Sequence, residues 1–279
     1  MSENKSVNRM EWECSVGSQT IRGVLMRPET GCKGPLLICS HGYGGTHASV
    51  VPYAEAAAQQ GIAAYAFDFR GGGTQSASDG ATTDMSVMTE VGDLEAVLAQ
   101  AADWPFVDPS RIVLLGASQG GYVSAVAAAR RSAAVAALIL LYPAFVAGDD
   151  MHRKFASLDA IPEKLVYRNG LEVGRRYFAD LWDYDPYAEI GGYGGPVLII
   201  HGTEDSVVPL SYSERARSVY PRAELRLIRG GEHGFRGPQL TDSEADVLTF
   251  LRQLGFLAET VPATHSDKLA TWDCLDRKT

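Results

Sequence analysis

A serine hydroxyl attacks a carbonyl only with help. It needs a base to take its proton, and the base needs a group that fixes its tautomer. This 279-residue chain carries side chains able to form such a relay on three turns. The first lies in Arg111–Gly121, RIVLLGASQGG, where an apolar run passes directly into Gly116-Ala117-Ser118-Gln119-Gly120 and a small-residue helical pattern follows. Between a strand and a helix, G-x-S-x-G puts the serine on a tight turn, and glycines two positions to either side let neighbouring backbones approach. The hydroxyl of Ser118 is then exposed beside the amides of a helix start, where developing negative charge is favoured. The second turn, His201-Gly202-Thr203-Glu204-Asp205-Ser206-Val207-Val208-Pro209, offers two adjacent carboxylates after the apolar run Pro196–Ile200. The third, Gly230-Gly231-Glu232-His233-Gly234-Phe235, presents His233 after the run Glu224–Arg229.

A fourth turn, His41-Gly42-Tyr43-Gly44-Gly45, also ends an apolar run. A His-Gly turn of this kind offers a backbone N–H to an oxyanion while its imidazole shapes the loop, and the donors here would be the amides of Tyr43 and Gln119. His201 reads as structural, and His47, His152 and His265 as exposed. Arg70-Gly71-Gly72-Gly73 opens no phosphate-binding helix motif and reads as a turn. Cys14, Cys32, Cys39 and Cys274 form no close CxxC pair, and none has a histidine at metal-ligand spacing. No metal and no organic cofactor is expected.

These turns must be brought together by the elements between them. Apolar, β-branched segments predict strands at Glu11–Val16, Thr20–Met26, Pro35–Ser40, Ile62–Asp68, Arg111–Gly116, Val135–Tyr142, Pro196–His201 and Glu224–Arg229. Those from Pro35 onward are nearly all apolar, as in a parallel sheet covered on both faces. Helices are predicted at Val51–Gln60, Val87–Ala102, Gln119–Arg130, Leu210–Tyr220 and Asp242–Leu254. In the second of these, Val87, Val91, Leu94, Leu98 and Ala101 form one amphipathic stripe. Repeated strand–helix units after two opening strands imply an open, mostly parallel sheet. Its carboxyl-end loops share one crevice, so turns far apart in sequence can meet. The stretch 143–190 breaks this rhythm with no predicted strand and a high density of aromatic residues.

Composition narrows the function further. With 25 basic and 34 acidic residues the formal charge is −9, which gives no electrostatic footing for a nucleic acid. No apolar run approaches the roughly 18 to 20 residues that span a bilayer. The polar start predicts a cytoplasmic protein without membrane association, and the cysteines then read as reduced structural thiols.

In this order and context, HGYGG at His41–Gly45, DFRGGG at Asp68–Gly73, GASQGG at Gly116–Gly121, HGTEDSVVP at His201–Pro209 and GGEHGF at Gly230–Phe235 resemble the α/β-hydrolase superfamily. The resemblance runs over Met10–Phe256, and within the superfamily the chain looks like the bacterial cinnamoyl/feruloyl esterase-like branch. It implies an α/β fold: a mostly parallel eight-stranded sheet covered by helices on both faces, with a lid insertion at 143–190 after the sixth strand. The hydrolase domain would span 10–256, and 257–279 would be a C-terminal extension. The family order makes Ser118, Asp205 and His233 the catalytic residues. Asp205 is favoured over Glu204 because it stands four residues before Pro209, as the acid does in that fold. Lids of the branch use a Tyr and an Asp to hold the phenolic end of a hydroxycinnamate. By position these are Tyr177 and, less closely, Asp149, with the lid aromatics Phe145 and Trp182 lining the pocket. The implied activity is a serine carboxylesterase acting on a small-molecule ester with a short acyl or aryl acyl group, as a possible homodimer. An amide- or peptide-bond hydrolase of the same fold and a non-catalytic binding protein are the alternatives.

Overall fold

The short all-apolar runs have no polar face to offer water, so they form strands that are covered from both sides. A computed structural model describes residues 7–28 and 33–257. Residues 258–279 of the expected C-terminal extension, with His265 and Cys274, and also Cys32, lie outside the described residues. Strands β1 (Val7–Val16) and β2 (Gln19–Pro28) form an antiparallel hairpin. β3 (Gly34–Ser40), β4 (Ala63–Phe67), β5 (Val107–Ala117) and β6 (Ala137–Leu141) follow. A short antiparallel pair, β7 (Lys164–Val166) and β8 (Glu172–Gly174), stands apart from the main sheet. β9 (Val197–Gly202) and β10 (Ala223–Ile228) complete an eight-stranded sheet in the order β1-β2-β4-β3-β5-β6-β9-β10. From β4 to β10 every neighbouring pair in that order is parallel. This is the α/β-hydrolase architecture that the sequence predicts.

Alternation along each strand divides the core into two. On β3, Leu36 and Ile38 face one cluster while Leu37 and Cys39 face the other. The first side is covered by α2 (Val87–Ala101) and α3 (Gln119–Arg130), the second by α1 (Val51–Gln59) and α8 (Pro238–Gln253). Each fully buried side chain of this kind stabilises the fold by about 1.5–3 kcal/mol. The helix α7 (Leu210–Val219) leads from β9 back to β10. No helix among the described residues is long and apolar enough to cross a membrane.

The stretch 143–190 contains α4 (Ala147–Lys154), the β7–β8 pair, α5 (Arg176–Ala179) and α6 (Pro186–Ile190). The two strands correct the expectation that this stretch holds none; at three residues each they are too short to show a period. Its apolar residues, among them Met151, Leu171, Val173, Phe178 and Leu181, join the core on the α2–α3 side. The insertion therefore packs over the same end of the sheet at which β3, β5, β6, β9 and β10 release their loops.

Candidate active site

The turn after β5 owes its shape to glycine. A Cβ on Gly116 would collide with the Gly120 carbonyl, and one on Gly120 would collide with the carbonyls of Ser40 and His41. Without those side chains the start of α3 closes tightly against the ends of β5 and β3. Ser118, between them, takes φ +55° and ψ −117°, a conformation L side chains rarely adopt. Its N–H donates to the Leu141 carbonyl at 2.9 Å, and its carbonyl accepts from Ala144 at 2.9 Å. The side chain caps nothing in the helix, which leaves the hydroxyl free to serve another group.

That group is His233. Its Nε2 lies 2.9 Å from Ser118 Oγ, and its Nδ1 lies 2.8 Å from Asp205 Oδ2. A carboxylate only accepts, so Nδ1 carries the proton and Nε2 accepts from the hydroxyl. The Asp205 side chain is fully buried (0 % exposed). Burial alone would raise its pKa, but hydrogen bonds from His233 and from the Val208 and Val207 amides outweigh this and hold it below the ordinary carboxylate value. Glu204 is exposed, so the two adjacent carboxylates are separated by their surroundings. His201 is buried beneath this loop. Its Nε2–H donates to the Val208 carbonyl at 2.9 Å, and its Nδ1 meets Ser213 Oγ at 2.7 Å. Burial keeps it neutral, in the structural role the sequence suggests.

The loop after β3 is held in the same manner. His41 is buried; its Nδ1–H donates to the Gly42 carbonyl at 2.8 Å, and its Nε2 accepts from the Phe69 N–H at 3.2 Å. A Cβ on Gly42 would lie 3.1 Å from Ser118 Cβ, so this loop passes directly over the Ser118 turn. The N–H groups of Tyr43 and Gln119 donate to no acceptor among the described residues. His47 departs from expectation: Asp68 accepts from its ring nitrogen at 2.7 Å and its amide at 2.6 Å, and so ties this loop to the turn at Arg70–Gly73. Sequence reasoning also missed Tyr142. It follows β6 at φ +37° and sets its ring 4.8 Å from the His233 imidazole, and no local pattern signals that conformation.

Ser118 separates two spaces. An inner, mainly apolar pocket of about 60 Å³ is walled by Tyr43, Tyr122, Tyr167, Tyr177, Phe178 and Leu181, with Asp150 and Arg168 also in its lining. An outer, open groove of about 570 Å³ is lined by Tyr43, Ser118, Tyr142, His233 and two arginines, Arg168 and Arg236. Of the residues expected to contact substrate, only Tyr177 lines the pocket, and its hydroxyl is already engaged, donating to Gln119 Oε1 at 2.8 Å. Asp149 points the other way and accepts from the Tyr212 hydroxyl; its neighbour Asp150 lines the pocket instead. Phe145 packs between Tyr122 and Tyr187, and Trp182 against the His152 ring. Both serve the packing of the insertion rather than the pocket wall.

Behind Gln119 lies a buried carboxyl. Gln119 Nε2 donates to Glu90 Oε2 at 2.8 Å, so Glu90, Gln119 and Tyr177 link α2, α3 and the insertion in one chain of hydrogen bonds. Burial is the main reason the Glu90 pKa lies well above the carboxylate range; the Gln119 bond opposes it and the nearby Asp93 adds to it. In the unfolded chain Glu90 ionises at its ordinary value, in the folded one only at higher pH. Its contribution to stability is therefore complete in acid and is lost as pH climbs toward the raised value. Glu90→Gln cannot ionise, so it should be more stable than the wild type near pH 8, with the advantage gone near pH 4. A stability difference that does not change between those pH values would show Glu90 titrating normally.

The family model described as "Serine aminopeptidase, S33" matches residues 33–179. An uncharacterized Salmonella typhi protein is 26% identical over 196 residues, 69% of this chain, and the chain spans only 62% of that relative's length. An uncharacterized protein of Mycobacterium tuberculosis is 28% identical over 231 residues, 83% of this chain and 72% of that protein. Among solved structures, Est1E from Butyrivibrio proteoclasticus with ferulic acid bound superposes with a TM-score of 0.79 at 26% identity, covering 88% of this chain and 99% of that one.

Proposed function

The chain belongs to the serine aminopeptidase, S33, family of hydrolases and is an α/β-hydrolase that resembles feruloyl esterases; on that premise we propose that it hydrolyses carboxylic esters through a serine acyl-enzyme. The observation that carries the reading is the unbroken relay from Ser118 Oγ to His233 to Asp205, at 2.9 and 2.8 Å, at the junction of two cavities. Ser118 attacks the ester carbonyl as His233 Nε2 takes its proton. The N–H groups of Tyr43 and Gln119, which have no other acceptor among the described residues, hold the oxyanion. Asp205 keeps the imidazole in the tautomer that can receive the proton and stabilises the imidazolium that results. Collapse breaks the acyl C–O bond, and His233 gives the proton to the departing alkoxide. A water then repeats the sequence on the acyl-enzyme and releases the acid, so one ester and one water become one acid and one alcohol.

The inner pocket, with aromatic walls and about 60 Å³ of space, suits an acyl chain of a few carbon atoms. The family's name raises peptide hydrolysis as a second reading. An aminopeptidase needs a carboxylate to pair with the substrate's α-ammonium group. Asp150 is the acid that lines the pocket, and its two oxygens are engaged by Arg153 and Arg168. That favours the ester. Assays of p-nitrophenyl butyrate against butyryl p-nitroanilide should give a kcat/KM for the ester larger by about a hundredfold or more. Comparable rates on an anilide, or turnover of aminoacyl anilides alone, would overturn the assignment. The likeness to Est1E with ferulic acid bound extends the proposal to hydroxycinnamoyl esters, and activity restricted to butyrates would remove that extension.

A further inference from the structure

Under the acyl-enzyme reading above, the two spaces beside Ser118 have different occupants, and the position of the base decides which is which. His233 must hand its proton to the departing oxygen. It lines the outer groove and not the inner pocket, so the alcohol part of the ester occupies the groove and the acyl part the pocket. The charged side chains of that groove are Arg236 and Arg168, the latter also reaching the inner pocket, and no Asp or Glu lines it. In a chain of formal charge −9 this is a local reversal of sign. Arg168 is braced by Asp150 at 2.7 Å and lies over the Tyr167 ring. Arg236 differs, forming no ion pair among the described residues. It projects from a tight turn between Gly234 at φ +84° and Gly237 at φ +51°, one residue beyond Phe235, which is buried against Tyr142.

We infer that the outer groove selects esters whose leaving alcohol carries an oxyanion, a carboxylate or a phosphate, held by Arg236 with Arg168 beside it. The inference rests on the ester reading and makes it more specific. A guanidinium offers paired N–H donors that match either anion. Because that charge is the same before and during acyl transfer, the arginines act on KM more than on kcat.

The test uses acetyl esters with one acyl group and matched phenols: 4-acetoxybenzoate, 4-acetoxyphenyl phosphate and the neutral methyl 4-acetoxybenzoate. For each anionic ester, kcat/KM is divided by that of the neutral one, and the ratio in Arg236→Ala and Arg236→Glu is compared with the wild type. Intrinsic differences between leaving groups cancel in that comparison. The ratio should fall about tenfold in the alanine variant and further in the glutamate variant, mostly through KM, and should shrink in the wild type as salt is raised. A fall for only one of the two anions identifies which the groove takes. Equal ratios in all three proteins, with the neutral ester still turned over, would overturn the inference and leave the ester reading standing. Failure of all three esters in the wild type would end both.

Discussion

Ser118→Ala should lower kcat for an aryl acetate by about 10⁵- to 10⁶-fold while leaving the fold intact. The size of the loss follows from what the hydroxyl does and does not do. Ser118 Oγ is bonded to His233 and caps no helix, so its removal deletes the nucleophile without orphaning a structural donor. The backbone at φ +55° is imposed by the closure of Gly116 and Gly120 on their neighbours, and alanine inherits the same strain. Stability measured by denaturant should therefore shift by less than about 0.5 kcal/mol. Residual rate would come from the unoccupied amides of Tyr43 and Gln119 and from binding alone. An organophosphonate that adds one mass increment to the wild type should add none to the variant. Retention of more than about one hundredth of the wild-type kcat would show that another group attacks.

How much of this site could be read from the sequence depended on how strongly each residue type constrains its backbone. Gly116 and Gly120 accept no Cβ, so the G-x-S-x-G pattern after an apolar run was informative about shape as well as composition. The alternation of Leu36, Leu37, Ile38 and Cys39 between two cores likewise follows from strand geometry alone. Asp149 and Asp150 show where such reasoning ends. Consecutive helical residues point about 100° apart, so an error of one position turns a pocket residue into one that meets Tyr212 outside it. α4 is short and largely polar, and gives no apolar stripe from which to set the phase. Glu90 was partly legible. It stands three residues after Val87 and four before Leu94, on the buried stripe of α2, but its charge makes it read as a solvent-facing residue. What keeps it inside is Gln119, on another helix, and no local pattern reports that partner.

The second large effect concerns Asp205, whose replacement by asparagine should lower kcat by about 10⁴-fold at neutral pH. Asp205 Oδ1 accepts from the N–H groups of Val207 and Val208 at 2.9 and 2.8 Å. An asparagine must leave its oxygen at that position, because turning its NH₂ there would set donors against donors. The NH₂ then faces His233 Nδ1, which can accept it only by giving up its proton. The imidazole is driven into the other tautomer, with Nε2–H directed at Ser118 Oγ and no lone pair to take the serine's proton. The same NH₂ also meets His201, whose Nε2 lies 3.4 Å from Asp205 Oδ2 and already donates to the Val208 carbonyl. Stability should change with a definite sign. The folded pKa of Asp205 lies below its unfolded value, so its contribution is present above the ordinary carboxylate range and is lost as pH falls through the lowered value. Asp205→Asn should therefore be less stable than the wild type near neutrality and approach it in acid. Glu204→Gln supplies the comparison: that side chain is exposed, and kcat should stay within about twofold of the wild type. If instead Glu204→Gln is the crippled variant and Asp205→Asn the active one, the relay has been drawn through the wrong carboxylate.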